Sequence, residues 1–125
     1  GWHLPDTLEW RTLSNVDGND PGNLGHGALL SQTRYWISTS GWYSEYYDLS
    51  GCDTYGFSAI PAGVYEDEYS RFVSVGEGTM FWSSSIWVRG SWAYAASFST
   101  STTNGHMEGQ VIDYACSVRC LKDSN

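Results

Sequence analysis

Lysine is all but missing from this chain: Lys122 is the one lysine in 125 residues, and with the arginines it makes six basic residues against fourteen acidic ones, a net charge of -8. A surface this negative repels phosphate backbones and anionic lipid headgroups, so neither nucleic acid nor a membrane surface is an expected partner. No apolar run approaches the roughly 18 residues that a membrane span requires, and no signal-peptide pattern opens the chain. A secreted form is expected to carry its signal upstream of residue 1. The sequence also holds no G-x-S-x-G nucleophile elbow and no CxxC pair, and His3, His26 and His106 are scattered. No catalytic residue, no metal site and no cofactor is therefore expected.

Cysteine is sparse and odd in number: Cys52, Cys116 and Cys120. One disulfide and one leftover thiol is the simplest arithmetic. On an extended strand Cys116 and Cys120 face the same side but stand roughly 13 Å apart, too far to bridge each other. Cys52 is thus expected to pair with one of them, the other being free or bonded outside the segment.

Aromatic residues, in contrast, reach 16%, with seven Trp and nine Tyr, while charged residues make up only 16%. With 13.9 kDa, this is the size of one domain with a single core, and the composition is that of a β-rich, secreted-type protein. "LPDTLEWRTLSNV" predicts a helix from about residue 6 to 16, with Asp6 as its cap and Glu9 completing a capping box. "DGNDPGN", residues 17–23, ends it. Its Asp17, Asn19, Asp20 and Asn23 are oxygen donors, but Pro21 breaks the calcium-loop pattern and a plain turn is expected. "LGHGALLSQ" reads as a second short helix or an extended piece, and residues 32–55 as an irregular loop region packed by its own side chains.

Beyond residue 55 the pattern has period two. "GFSAIPAGVYE" alternates Phe57, Ala59 and Pro61 against small polar positions, "MFWSSSIWVRG" follows, and "SWAYAASFS" sets Trp92, Tyr94, Ala96 and Phe98 on one face. "SFSTSTTNG", residues 97–105, reads as a hairpin loop and "YACSVRCLK" as a last strand. The expected class is α+β, helix first and a small twisted antiparallel sheet later. "YEDEY", with Glu66, Asp67 and Glu68, reads as a solvated charged loop.

Four motifs taken in order, "GWHLPDTLEW", "YGFSAIPAG", "MFWSSS" and "CSVRCLKD", resemble the Fibrobacter succinogenes major paralogous domain family over nearly the whole chain. The resemblance implies a C-type-lectin-like architecture related to the formylglycine-generating fold, with residues 1–125 as one domain lacking an N-terminal segment of the family unit. It also implies an extracellular or cell-surface module of a bacterial protein. Family members carry a cysteine just before "GWHLP" that pairs with the one in "VRC". Carried over, this leaves Cys120 for a partner outside the chain and pairs Cys52 with Cys116. The framework positions of the family point to Trp2, Trp10, Trp36, Phe57, Trp82 and Trp92 as core.

The rings left over are Trp42, Tyr43, Tyr46 and Tyr47 in "GWYSEYYDLSGC", interleaved with Glu45 and Asp48; Trp87 is a second candidate. Exposed Trp and Tyr offer wide contact area at low rotamer cost, with a polar tip that can still hydrogen-bond. The expected function is contact without catalysis: a self-assembling filament or surface-layer unit, or an adhesive one, whose partner is the protein itself or a surface protein. The alternative is a glycan-binding module of a secreted enzyme or adhesin, the rings stacking on pyranose faces while Glu45 and Asp48 accept hydroxyl hydrogen bonds. The EPN or QPD tripeptide of calcium-dependent lectins is missing. A formylglycine-generating-type oxidase using Cys116 and Cys120 is the remaining alternative, disfavoured by the short chain and the cysteine spacing.

Overall fold

Residues 1–14, 36, 53, 56–99 and 105–124 are described by a computed structural model of the chain. Its order is β1 (Trp2–His3), α1 (Thr7–Ser14), β2 (Val64–Glu66), β3 (Arg71–Val73), β4 (Gly78–Val88), β5 (Trp92–Ser99), β6 (His106–Val111) and β7 (Leu121–Lys122). These strands form three antiparallel sheets: β1 with β7, β2 with β3, and β4-β5-β6. The α+β, C-type-lectin-like expectation is therefore corrected, because the described residues are mostly β and α1, of eight residues, is the one helix among them. The physical reason is that the period-two segments find one another, and even the N-terminal Trp2–His3 is recruited as a strand by Leu121 and Lys122. "LGHGALLSQ", expected as a second short helix or an extended piece, and the expected loop region of residues 32–55, apart from Trp36 and Asp53, lie outside the described residues. No described helix is long and apolar enough to cross a membrane.

The helix start follows its capping box. Asp6 Oδ1 accepts from the N–H groups of Leu8 and Glu9, each at 2.8 Å, and Glu9 Oε2 accepts from Asp6 N–H at 2.9 Å. Trp10 and Leu13 then turn toward the sheet.

The core is an aromatic cluster between α1 and the main sheet: Trp10, Trp36, Ala59, Phe81, Ala96 and Phe98, with Leu13, Phe57 and Met107 packed at its margin. Phe81 lies 5.5 Å from Phe57 in an edge-on arrangement, and Trp10 lies 5.8 Å from Phe81. Trp36 donates its indole N–H to the Ala59 carbonyl at 3.1 Å, which removes the cost of burying that donor. Three residues expected in the core lie elsewhere: Trp2 is 68% exposed, Trp92 is more than a third exposed, and Trp82 is only half-buried while its neighbour Phe81 takes the core side.

Strand β4 departs from a plain ladder in two places. Between Trp82 and Ile86 four steps along β4 match only two along β5, from Ala95 to Ala93, and the surplus residues are serines. They are stitched to the N-terminal segment. The Ser83 hydroxyl and the Ser84 N–H donate to the Pro5 carbonyl at 3.0 and 2.8 Å, and Ser85 Oγ accepts from Thr7 N–H at 3.0 Å. The "SSS" run thus holds the helix start against the sheet.

Elsewhere the pattern is partly kept. Phe57, Ala59 and Pro61 do turn inward while Ser58, Ile60 and Ala62 face water, although the regular strand begins only at Val64. Gly63 adopts a φ of 72°, and a Cβ there would stand 2.4 Å from the Val73 carbonyl oxygen, so glycine is required for this approach. "YACSVRCLK" is not one strand: Ala115 bridges to Tyr65, Ser117 to Phe81, and only Leu121–Lys122 pairs regularly, with β1. Residues 97–99 of the expected hairpin loop belong to β5 itself.

Candidate functional site

The second irregularity of β4 builds a group of mutually packed, partly exposed rings. Ile86 pairs with Ala93, and Val88 with Trp92, so Trp87 is an extra residue that shares one partner with Val88. A bulge of this kind re-aims a side chain. Trp87 is turned onto the face that carries Trp92 and Tyr94, where it stacks on Tyr94 at 5.7 Å and 17° and meets Trp92 edge-on at 5.9 Å and 70°. Tyr94 is paired with Gly109 of β6. The Trp87 ring covers that glycine, since a Cβ on Gly109 would fall 1.2 Å from Trp87 Cε3. The absent side chain is the seat of the indole.

Trp87 remains 54% exposed and Trp92 39%, and Val88 and Ile112 add exposed aliphatic surface beside them. Rings held by one another, over a glycine, with aliphatic neighbours make a rigid apolar surface that can act by contact. The sequence singles out Trp87 but not Trp92 and Tyr94 as its companions: the family resemblance places Trp92 in the core, and period two puts Tyr94 on the same face as Trp92 without linking either to Trp87. The other expected contact residues, Trp42, Tyr43, Glu45, Tyr46, Tyr47 and Asp48, lie outside the described residues.

Cys116 and Cys120 are free thiols, and Cys52, the expected partner of Cys116, lies outside the described residues. Burial, with a smaller contribution from the Glu108 charge, pushes the half-buried Cys116 thiol up to about 12, so it stays protonated at neutral pH. In "YEDEY", Glu66 pairs with Arg71 at 2.9 Å and accepts from the Tyr114 hydroxyl at 3.4 Å, and Ser70 N–H closes the turn on the Asp67 carbonyl. That segment is the hairpin joining β2 to β3. Asp17, Asn19, Asp20 and Asn23 lie outside the described residues, among which no group of three or more His, Cys, Asp or Glu is placed to hold a metal ion.

A clasp joins the two ends of the fold. His3 Nδ1 is 2.6 Å from Asp123 Oδ1 and its Nε2 is 2.8 Å from Glu9 Oε1. The hydrogen bonds to Asp123 and then Glu9 raise the His3 pKa above its ordinary 6.5, and the same contact with His3 holds the Asp123 carboxyl below its ordinary 3.8.

No curated protein and no solved structure matches the chain. The model of one family, the Fibrobacter succinogenes major domain, matches residues 1–122, and to that family this chain belongs.

Proposed function

We propose that the protein is a non-catalytic, extracellular or cell-surface contact domain, and that the Trp87–Trp92–Tyr94 surface joins it to a second copy of itself. The observation that carries this reading is the bulge that lifts Trp87 out of the ladder and seats it on Tyr94 above Gly109. An indole held in place but left half in water loses little entropy on association. The flanks favour a protein partner over a saccharide at this surface. Val88 and Ile112 offer no hydrogen bonds to sugar hydroxyls, whereas interface centres are rich in aromatic rings and poor in charge. The residues that follow them are Arg89 and Asp113, exposed and of opposite sign, so a two-fold contact sets Arg89 of one copy against Asp113 of the other.

The extracellular setting draws support from low charge, Ser/Thr richness and an odd cysteine count. The non-catalytic reading draws support from Cys116, which as a protonated thiol is a poor nucleophile. Light scattering over a concentration series is the test: the mass of the wild type rises with concentration and that of Trp87→Ala stays monomeric. A wild type monomeric throughout, or a variant that associates equally, overturns the reading.

A further inference from the structure

A cleft of about 420 Å³ opens between β1, α1 and β7, away from the paired rings of Trp87 and Tyr94 and lined by a different set of residues. Its size is in the range of small-ligand sites. Trp2 and Lys122 are direct partners in the β1–β7 pair, so their side chains leave the same face, and both line this cleft. Arg119 lines it too, with its guanidinium 4.6 Å over the Phe57 ring, which the core fixes in turn through Phe81. Two of the six basic residues of an acidic chain therefore converge on one opening.

The acids nearby are already engaged. Glu9, the one carboxylate in the lining, spends its two oxygens on His3 and on the Asp6 N–H. Asp53, whose charge interacts with Arg119, accepts from the Ser58 N–H at 2.6 Å and from the Ser58 hydroxyl. Among the described residues neither Arg119 nor Lys122 is part of an ion pair. Trp10 borders the cleft as well, and its indole N–H, in a residue only 2% exposed, has no acceptor among the described residues.

We infer that this cleft binds a carboxylate-bearing pyranose, a sugar acid of the uronic class. The exposed Trp2 ring supplies a flat surface for the pyranose face, and Lys122 and the pre-set Arg119 take the carboxylate. A carboxylate-ended peptide would satisfy the cations but would make no use of the flat ring.

The test is titration calorimetry of the full chain with a uronic-acid disaccharide, the matching neutral disaccharide, glucose 6-phosphate and a short peptide with a free carboxyl end. The uronic disaccharide binds, and Lys122→Met and Trp2→Ala each weaken it about tenfold, the scale of a charge-assisted hydrogen bond or of a lost ring contact, while Lys122→Arg retains it. The neutral sugar binds about tenfold more weakly. Trp87→Ala binds like the wild type, which keeps this result separate from the self-association proposed above. Both lysine substitutions are at an exposed position, and circular dichroism verifies their fold. No heat with the uronic disaccharide, equal affinity for the neutral one, or tighter binding of the phosphate or of the peptide overturns the inference.

Discussion

The main sheet carries two groups of aromatic rings on one face, and their fates differ. At one end of β5, Ala96 and Phe98 meet Phe81, Phe57 and Trp10; at the other, Trp92 and Tyr94 meet Trp87. The spacing is nearly the same: 5.5 to 6.3 Å between centroids among Phe57, Phe81 and Phe98, and 5.7 and 5.9 Å around Trp87. What differs is the cover. Helix α1 and Trp36 close over the first group, whereas the bulges of β4 take the second group past the edge of that cover. Ring contacts alone therefore do not distinguish a core from a contact surface. The presence of a second layer does.

That contrast can be broken from either side. Phe81→Ala opens a hole in the covered group and is expected to cost about 3–5 kcal/mol, read as a lower urea midpoint. Gly109→Ala attacks the exposed group by driving the Trp87 ring off its seat, with a loss of about 1–3 kcal/mol, and Trp87→Ala on top of it restores most of that stability; additive losses in the double variant would refute the seating. Trp87→Ala alone should change stability by only about 0.5 kcal/mol, while abolishing the proposed self-association.

The smallest effect concerns the clasp. The raised His3 pKa gives stability that is complete below 6.5 and lost as pH rises through the folded value; the lowered Asp123 pKa gives stability complete above 3.8 and lost as pH falls through its folded value. The melting-temperature gap between wild type and His3→Gln is thus expected to be widest between pH 3.8 and 6.5 and to narrow on both sides. A gap that does not vary with pH would show that the clasp does not titrate.

Particular residues show what could be read in advance. Asp6 and Glu9 announced the helix start because a cap is a local contract between side chain and backbone. Phe57, Ala59 and Pro61 announced their inward face, as did Ala96 and Phe98. Strand β6, "HMEGQV", gave no such sign: it is half-buried throughout, and its glycine is tolerated only because an indole from β4 covers it, a relation across the sheet that no window of neighbouring residues contains. The bulges misled in the same way. Period two runs straight through "WSSSIW", while the chain gains extra residues there to satisfy Pro5 and Thr7, and the family framework that places Trp82 and Trp92 in the core carries no sign of those extra residues either. The cleft was invisible because Trp2, Phe57, Arg119 and Lys122 come from three distant parts of the chain.

The pairing of β1 with β7 has a mechanical consequence. The two strands run antiparallel and pair at only two positions, Trp2 with Lys122 and His3 with Leu121, so a pull on the chain from both sides loads these pairs one after the other, as a zipper, and never all at once in shear. The sugar-acid cleft shares that zipper through Trp2 and Lys122, so tension would dismantle the cleft first while the covered rings of the core remain intact.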